Sequence, residues 1–294
     1  MAHNYEGAGA VAAVPGCSRA LLEQASDRYT AAQSTGQVQW LDHLLAPGAV
    51  LLENEQPLAP RASRLGRPLR IDRSHTIYDL TQCAVFVETI ASDPADPWVI
   101  GAQIRLGATN RTADTSTAGR NATGSAEPLI VKIDRIVTTT GDWLFNATRT
   151  LHYALLEDWA PIQPASRRDN RTTLKAAADA YFGMLANHSR PVPWGHPCTR
   201  LEGGSYTGRG LANDTCDVGI PTNSTMQAPN RRYVIDETVG AVSMLLEFGG
   251  INNAPDSHEF RILDGRLRRV HTMTFCAEKP NCGVQWPEEP DPGY

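Results

Sequence analysis

Apolar residues recur along the chain in two periods, and their order predicts helices followed by strands. Between Ser18 and Gln33 the apolar positions, which include Leu22 and Tyr29, are three or four residues apart, as in an amphipathic helix. Ser18 is placed to cap this helix. A shorter helix is expected over 38–45. Alternating or continuous apolar runs then predict strands at residues 49–55, 69–80, 83–90, 98–106, 129–138 and 143–153.

The same order begins again after residues 158–171, whose Pro, Asp and Arg content is typical of a linker. A second amphipathic helix is predicted over 174–185, and it contains Tyr181. Strands follow at 231–237 and 240–248. We therefore predict a duplicated α+β unit, with a lead at 1–16, a first domain at 17–157, a second domain at 172–284 and a tail at 285–294.

The last predicted element is a hairpin that turns at the Asp-Gly dipeptide 264–265, which readily adopts the positive φ angles of a tight turn. A period of two places His258 among apolar residues on one face of the first strand, with Glu259 on the other face. The pattern matches this hairpin to residues 133–142 of the first copy. Lys132 or a near neighbour would then correspond to His258.

Composition and charge exclude two classes of function. The chain has 294 residues, of which 41% are hydrophobic, and a formal net charge of -5. This length suits two ordinary domains, and the charge offers no basic face for nucleic acid. No apolar stretch approaches the roughly 18 to 20 residues of a membrane span, so we expect neither a nucleic-acid partner nor a membrane span.

Glycosylation motifs indicate the secretory pathway. Seven Asn-X-Ser/Thr motifs occur, whereas ordinary composition would supply roughly one or two. The chain begins with small residues rather than with a basic and then apolar signal. We expect a secreted or lumenal protein whose signal peptide is absent from this chain and whose glycans are attached at Asn110, Asn121, Asn146, Asn170, Asn187, Asn213 and Asn223.

Six cysteines support the same compartment, because disulfides persist in oxidising environments. Fifteen full pairings are possible, and proximity favours three pairs, each of which closes a loop within one half of the chain. There is no CxxC or HExxH motif, so we expect no metal and no other cofactor. The favoured pairs are Cys17 with Cys83, Cys198 with Cys216, and Cys276 with Cys282.

Several stretches carry a resemblance to a known family. They are Cys-Ser-Arg at 17–19, Leu-Glu-Asn at 52–54, Gly-Asp-Trp-Leu-Phe-Asn at 141–146, Pro-Trp-Gly-His-Pro-Cys-Thr-Arg-Leu-Glu-Gly-Gly at 193–204, Asn-Arg-Arg-Tyr-Val-Ile-Asp-Glu at 230–237 and the hairpin at 256–271. Across residues 17–282 the chain resembles fungal secreted proteins of uncharacterised function with two NTF2-like or SnoaL-like halves. It is also similar in type to the ketosteroid-isomerase-like cyclases of fungal gene clusters, including those proposed to dimerise maleic anhydride units.

The resemblance implies tandem cone-shaped α+β barrels, each with helices packed on a curved antiparallel sheet. Such cones generally use an apolar cavity and a few inward polar side chains, without a cofactor. In the ketosteroid-isomerase pattern a helix tyrosine donates a hydrogen bond and a strand carboxylate is the base. Tyr29 with Glu53, and Tyr181 with Glu202, occupy comparable places. The late-strand acid of that family has no clear match, so His152 or Asp134 would replace it in the first half and His258 in the second.

The strand patterns add further candidates. Asp236 and His258 lie within strands, where a polar group facing a cavity would be desolvated. Trp194 could form an aromatic wall, and Arg261 and His75 could contact substrate. Each candidate also has a structural interpretation: the tyrosines could pack in the core, Glu202 could pair with an arginine, and the histidines could be hydrogen-bonded core or strand-edge residues.

These observations lead to two hypotheses. The first is a cofactor-independent cyclase, isomerase or dehydratase of fungal secondary metabolism that acts by acid–base chemistry on an apolar, carbonyl-bearing polyketide or anhydride. The alternative is a non-catalytic secreted ligand-binding or effector protein. In both, the partner is a small apolar molecule, the two domains pack as an internal pseudo-dimer, and a homodimer is left open.

Overall fold

The first half of the chain begins with the predicted helix, α1 (Arg19–Thr35). Ser18 caps it, because its hydroxyl accepts the N–H of Leu21 at 3.2 Å. Gly36 ends it in the left-handed region, at φ 68°. The computed structural model of the protein describes residues 14–108, 127–277 and 279–284. The buried face of α1 includes Leu22 and Tyr29.

Six strands follow α1 and form one sheet in the order β2-β1-β6-β5-β4-β3. β1 runs parallel to β6, and the other neighbours are antiparallel. The strands are β1 (Leu45–Glu53), β2 (Gln56–Pro57), β3 (Arg73–Asp79), β4 (Ala84–Ala91), β5 (Trp98–Gly107) and β6 (Leu129–Thr139).

The second half repeats this arrangement. A short helix, α2 (Ala147–Leu155), precedes the long helix α3 (Arg171–Ala186). The second sheet has the order β8-β7-β12-β11-β10-β9, with β7 parallel to β12. Its strands are β7 (Trp194–Glu202), β8 (Ser205–Tyr206), β9 (Arg232–Asp236), β10 (Ala241–Phe248), β11 (Ala254–Leu263) and β12 (Arg266–Thr274). The protein is thus an α+β chain with two six-stranded sheets of the same strand order.

Two predicted elements were wrong. The short helix expected over 38–45 is a single 3-10 turn, Val38–Leu41, and β1 begins at Leu45. The strand expected over 143–153 is the helix α2. Asn146 explains this helix, because its side chain accepts the N–H of Arg149 at 3.0 Å and so caps the first turn.

The internal repeat has a different register from the predicted one. The pairs Asp79–Ala84 and Asp236–Ala241 close equivalent hairpins in the two sheets. Counting from these pairs makes β11 equivalent to β5, so the match of the last hairpin to residues 133–142 was wrong. The residue that corresponds to His258 is Ala102, not Lys132.

Each sheet is covered on both faces. One face packs on the long helix of its own half, where α1 and α3 bury the two largest apolar clusters. The opposite faces pack against each other: Ile77 and Phe86 of the first sheet lie in one cluster with Val234 and Ala241 of the second. Any polar residue on these inward faces must therefore find its partner in the other sheet or in its own.

The three expected disulfides are confirmed. Cys17 is joined to Cys83, Cys198 to Cys216, and Cys276 to Cys282. The first ties the start of α1 to the turn between β3 and β4. Among the residues described, no helix is long and apolar enough to cross a membrane.

Candidate functional site

His258 and Asp256 form a buried pair on the face of the second sheet that packs on α3. Both lie on β11, two residues apart, so the strand period turns them to the same side. His258 Nδ1 lies 2.5 Å from Asp256 Oδ1, and Thr274 donates its hydroxyl proton to Asp256 Oδ2 at 2.6 Å. The aspartate therefore orients the imidazole and accepts its Nδ1 proton, which leaves Nε2 as the basic nitrogen.

Aromatic rings surround this pair. The His258 ring centroid is 4.8 Å from that of Phe182, 5.6 Å from that of Tyr181 and 5.9 Å from that of Phe260. Phe248 stacks at 6.1 Å. These contacts enclose the imidazole in an apolar layer between α3 and the sheet.

Tyr181 connects the pair to an ion pair at the end of β7. The pKa of Tyr181 is raised to about 12, mainly by burial; the charge of Arg200 opposes the rise, and the carboxylates of Glu202 and Asp256 add to it. Arg200 donates from Nε to Glu202 Oε2 at 2.9 Å. Its other nitrogens bind the carbonyls of Cys216 and Val218. Tyr181 therefore remains a neutral hydrogen-bond donor at neutral pH.

Glu202 is held from two sides. Besides the bond from Arg200, its Oε1 accepts the indole N–H of Trp143 at 2.7 Å. Glu202 therefore pairs with an arginine, as its structural interpretation predicted. As a base, this carboxylate would have to give up one of two hydrogen bonds.

The first half brings together a comparable but different set. Tyr29 lies fully buried beside Arg135, with the guanidinium 5.6 Å from the ring centroid. Burial raises the pKa of Tyr29, while the charge of Arg135 opposes the rise. Within the described residues, the Tyr29 hydroxyl has no well-aligned hydrogen-bond partner, and its polar neighbour is the Arg135 guanidinium. Arg135 donates to Gln33 Oε1 at 2.6 Å and lies 3.7 Å from Glu53 Oε2.

Strand register shows what the first half lacks. Ala102 pairs with Val87 as His258 pairs with Met244. By the same count Ile100 takes the place of Asp256. The acid–base pair of the second half is therefore replaced by two apolar side chains in the first.

Asp236 does not join His258. It lies on the opposite face of the second sheet, where its Oδ2 accepts the N–H of Tyr78 from the first sheet at 2.9 Å. Asp79 makes the reciprocal bond, because its Oδ2 accepts the N–H of Ile235 at 3.0 Å. Each aspartate also accepts backbone N–H groups of its own hairpin turn through Oδ1. Asp236 thus joins the two sheets by a pseudo-twofold pair of contacts.

Arg261 and His75 also face the space between the sheets rather than the candidate site. Arg261 donates to the carbonyls of Val239 and Ala160. His75 Nε2 lies 3.1 Å from Glu259 Oε1. Neither side chain is placed to contact a molecule bound at His258.

The remaining candidates have varied positions. Trp194 is partly buried, with its ring edge-to-face to Tyr181 at 6.1 Å. Asp134 pairs with Lys132 and with Arg232 of the second half, between the sheets. His152 is exposed on α2. Neither Asp134 nor His152 therefore supplies an acid beside Tyr29.

The glycosylation motifs can be placed for five of seven asparagines. Two, Asn110 and Asn121, lie outside the described residues. The others are all exposed, as an acceptor must be: Asn146, Asn170, Asn187, Asn213 and Asn223.

Sequence reasoning missed a second buried cluster, which we call the inter-sheet histidine cluster: His75, Glu88, Glu157, Glu259 and His271. His271 lies between two carboxylates, with Nδ1 2.9 Å from Glu88 Oε1 and Nε2 2.6 Å from Glu157 Oε2. Burial would lower the pKa of His271, but the two carboxylates raise it well above its usual value. Burial would likewise raise the pKa of Glu88, yet His271 and Arg73 hold it at about 2.

Two cavities bear on ligand access. One, of about 10 Å³, lies beside Glu88 and His271 and has room for about one water. The other is an open groove of about 530 Å³ along the outer face of α1, lined by Glu23, Asp27 and Arg28 among others. Neither is lined by His258.

Comparisons with known proteins add little chemistry. A family model described as a domain of unknown function (DUF8021) matches residues 167–274, which span α3 to β12. No curated protein matches the chain. Among solved structures the chain is similar to a DUF4783 family protein from Bacteroides fragilis, with a TM-score of 0.23 and 13% identity over 37% of this chain and 93% of that chain. A likeness this weak carries no argument about function.

Proposed function

We propose that the second half carries an acid–base site for a small, apolar, carbonyl-bearing molecule, in a secreted protein built from two NTF2-like halves. The observation that carries the proposal is the buried Asp256–His258 pair beside Tyr181. Burying a hydrogen-bonded acid–base pair in an aromatic layer is costly, and the equivalent positions of the first half are alanine and isoleucine. The raised pKa of the adjacent Tyr181 is also typical of functional sites, where such shifts are enriched.

Asp256, His258 and Tyr181 each have a separate role in the chemistry of an isomerase, cyclase or dehydratase. Asp256 holds the Nδ1 proton, so Nε2 of His258 accepts the proton from carbon next to the substrate carbonyl. Tyr181 donates a hydrogen bond to the oxygen that becomes negative, and the Arg200 charge supports this donor. Return of the proton from Nε2 to another atom of the substrate completes an isomerisation and needs no cofactor.

Entry of a substrate requires one of the surrounding rings to move. Tyr181, Phe182 and Phe260 are all buried, whereas Trp194 is partly exposed and contacts Tyr181. We infer that Trp194 forms the movable wall of the site.

A general probe of buried bases tests the proposal. 5-Nitrobenzisoxazole opens when a base removes its ring proton, and a desolvated base in an apolar pocket accelerates this reaction. We expect His258→Gln to lower the rate constant of the purified protein by about 100-fold or more, since general-base catalysis contributes about that factor. The matched control is His188→Gln, which removes an exposed histidine and leaves the rate unchanged. Equal rates for the wild type and His258→Gln would refute the proposal.

The second candidate is a non-catalytic binding protein, and one observation favours it. Side chains of the protein itself fill the layer around His258, and Leu155 and Leu156 at the end of α2 are 66% and 67% exposed. Neighbouring exposed leucines are typical of surfaces that another molecule covers. Saturable binding of an apolar dye with no probe turnover would support this candidate.

A further inference from the structure

The inter-sheet histidine cluster is built from two facing cross-strand pairs. His75 lies opposite Glu88 in the first sheet, and Glu259 lies opposite His271 in the second. The pairs exchange partners across the gap: His75 contacts Glu259, and His271 contacts Glu88. Two carboxylates and two imidazoles from four strands therefore converge between the sheets.

Three of these side chains present ligand atoms to one point. One atom each of Glu88, Glu259 and His271 lies within 4.8 Å of the other two, and all three residues are buried. Bonds of roughly 2.0 to 2.2 Å to nitrogen and oxygen give a ligand shell about 4 Å across. A small inward shift of one side chain would thus place all three on a single ion.

An independent observation points to a missing partner. In the part of the chain that the structure describes, Oε2 of Glu259 is buried without a hydrogen-bond partner, although its Oε1 contacts His75. A buried carboxylate oxygen left unpaired costs stability unless a cation or a donor satisfies it.

We propose that Glu88, Glu259 and His271 bind one divalent transition-metal ion between the two sheets. A set of one imidazole nitrogen and two carboxylate oxygens suits Zn²⁺ or Mn²⁺ better than the all-oxygen shells of Ca²⁺ and Mg²⁺. The ion would take the place of the proton now shared by His271 Nδ1 and Glu88 Oε1, and that proton would leave to solvent.

The surrounding residues already orient these ligands. Glu157 lies 2.6 Å from His271 Nε2, as in the carboxylate–histidine–metal arrangement that fixes the tautomer of a ligating imidazole. Arg73 donates to Glu88 Oε2 at 2.8 Å, so Oε1 points to the site. Both neighbours therefore act as positioning residues.

The ion would link the two halves, because Glu88 belongs to the first sheet and the other two ligands to the second. It would be structural, and the inference does not depend on the proposed acid–base function. His258 lies on the other face of β11 and takes no part.

Metal retention by the purified, EDTA-stripped protein tests the inference. After incubation with Zn²⁺, Mn²⁺ or Ca²⁺ and gel filtration, we expect one molar equivalent of Zn²⁺ or Mn²⁺ and no Ca²⁺ by mass spectrometry. The isosteric variant Glu259→Gln should lose the ion, with affinity lowered by more than about 100-fold, since even outer-shell changes cost roughly 10- to 100-fold. The matched control His258→Gln also removes a buried histidine and should keep the full equivalent.

A second measurement uses only the wild-type protein, so it does not depend on whether the variant folds. Co²⁺ should give a visible ligand-field band, and Zn²⁺ at a hundredfold excess over its Kd should raise Tm by about 5 °C. Absence of both effects overturns the inference. Equal retention by the wild type and by Glu259→Gln also overturns it, because the ion would then be bound elsewhere.

Discussion

The two halves share one scaffold, but the sheet faces that their long helices cover carry different polar residues. Each buries a tyrosine from its long helix and places a glutamate where β1 or β7 ends. The first half adds a fully buried arginine, Arg135, from β6. The second half instead takes Arg200 from β7 and adds the Asp256–His258 pair.

This difference teaches that the scaffold does not require the acid–base pair. Ala102 and Ile100 stand at the equivalent positions and pack well, both fully buried. The first half therefore serves as an internal control for the second. Exchange of residues between equivalent positions can test which side chains serve stability and which serve chemistry.

The largest expected effect comes from giving the second half the apolar pair of the first. In Asp256→Ile/His258→Ala, turnover of 5-nitrobenzisoxazole should fall by about 100-fold or more. Stability should fall by less than in Asp256→Ile alone, because that single change leaves a buried imidazole unpaired at a cost of about 1 to 3 kcal/mol. Guanidinium denaturation of both variants measures this. A double variant that retained turnover would locate the chemistry elsewhere.

The next largest effect is expected at the pair of reciprocal aspartate contacts to which each half contributes one residue. Asp79→Ala and Asp236→Ala each leave three backbone N–H groups without acceptors, and each should lower the free energy of unfolding by about 3 kcal/mol. Asp79→Ala should cost more, since Arg171 also loses its partner at 2.7 Å. The control Asp93→Ala removes an exposed turn contact. A cost for Asp236→Ala no larger than that of the control would contradict the reciprocal contact.

A smaller effect distinguishes the two long helices. Asp179 of α3 binds Lys175, Arg231 and Tyr233, and although burial alone would raise its pKa, the bonds from Lys175 and Tyr233 hold the pKa below its usual value. Its stabilisation is therefore present above the unfolded pKa and is lost as pH falls through the folded value.

We expect Asp179→Asn to destabilise the protein by about 1 kcal/mol at pH 6 and by less at pH 3. Thermal denaturation at the two pH values measures the difference. The matched change Asp27→Asn, at the exposed equivalent position on α1, should have no such pH dependence. A loss of stability that is the same at both pH values would exclude the ionic contribution.

The smallest effect compares the two tyrosines. Tyr29→Phe removes a buried hydroxyl that makes no well-aligned hydrogen bond to its neighbour Arg135, so stability should change by less than about 1 kcal/mol. Tyr181→Phe should instead slow probe turnover, because the proposed donor to the substrate oxygen is lost. Denaturation midpoints and turnover rates of both variants test this. If Tyr29→Phe also slowed turnover, the first half would share in the chemistry.

The sequence predicted the duplication, the long helices and most strands because their periods are strong and their caps are local. The prediction of a strand at residues 143–153 was wrong because Asn146 was interpreted only as a glycosylation motif. Its side-chain oxygen also caps α2. The disulfide pairs were predictable since each joins cysteines that are neighbours along the sequence and closes a loop within one half.

Only part of the candidate site was predicted from the sequence. His258 was singled out, and the same period of two would have found Asp256 on its face. Asp236, Arg261 and His75 were predicted as site residues, but all three face the space between the sheets. Both faces of each sheet are covered, so strands such as β4 are buried at every position and the pattern no longer says which side a polar residue faces. Their partners come from the other half, at sequence separations that no local pattern reveals.

The reciprocal contacts of Asp79 and Asp236 have a consequence for the order of assembly. Each carboxylate binds its own turn through one oxygen and the opposite strand through the other, so we expect the halves to dock best when both hairpins are closed. A chain with one hairpin unfinished would leave two apolar sheet faces uncovered, and such faces promote aggregation.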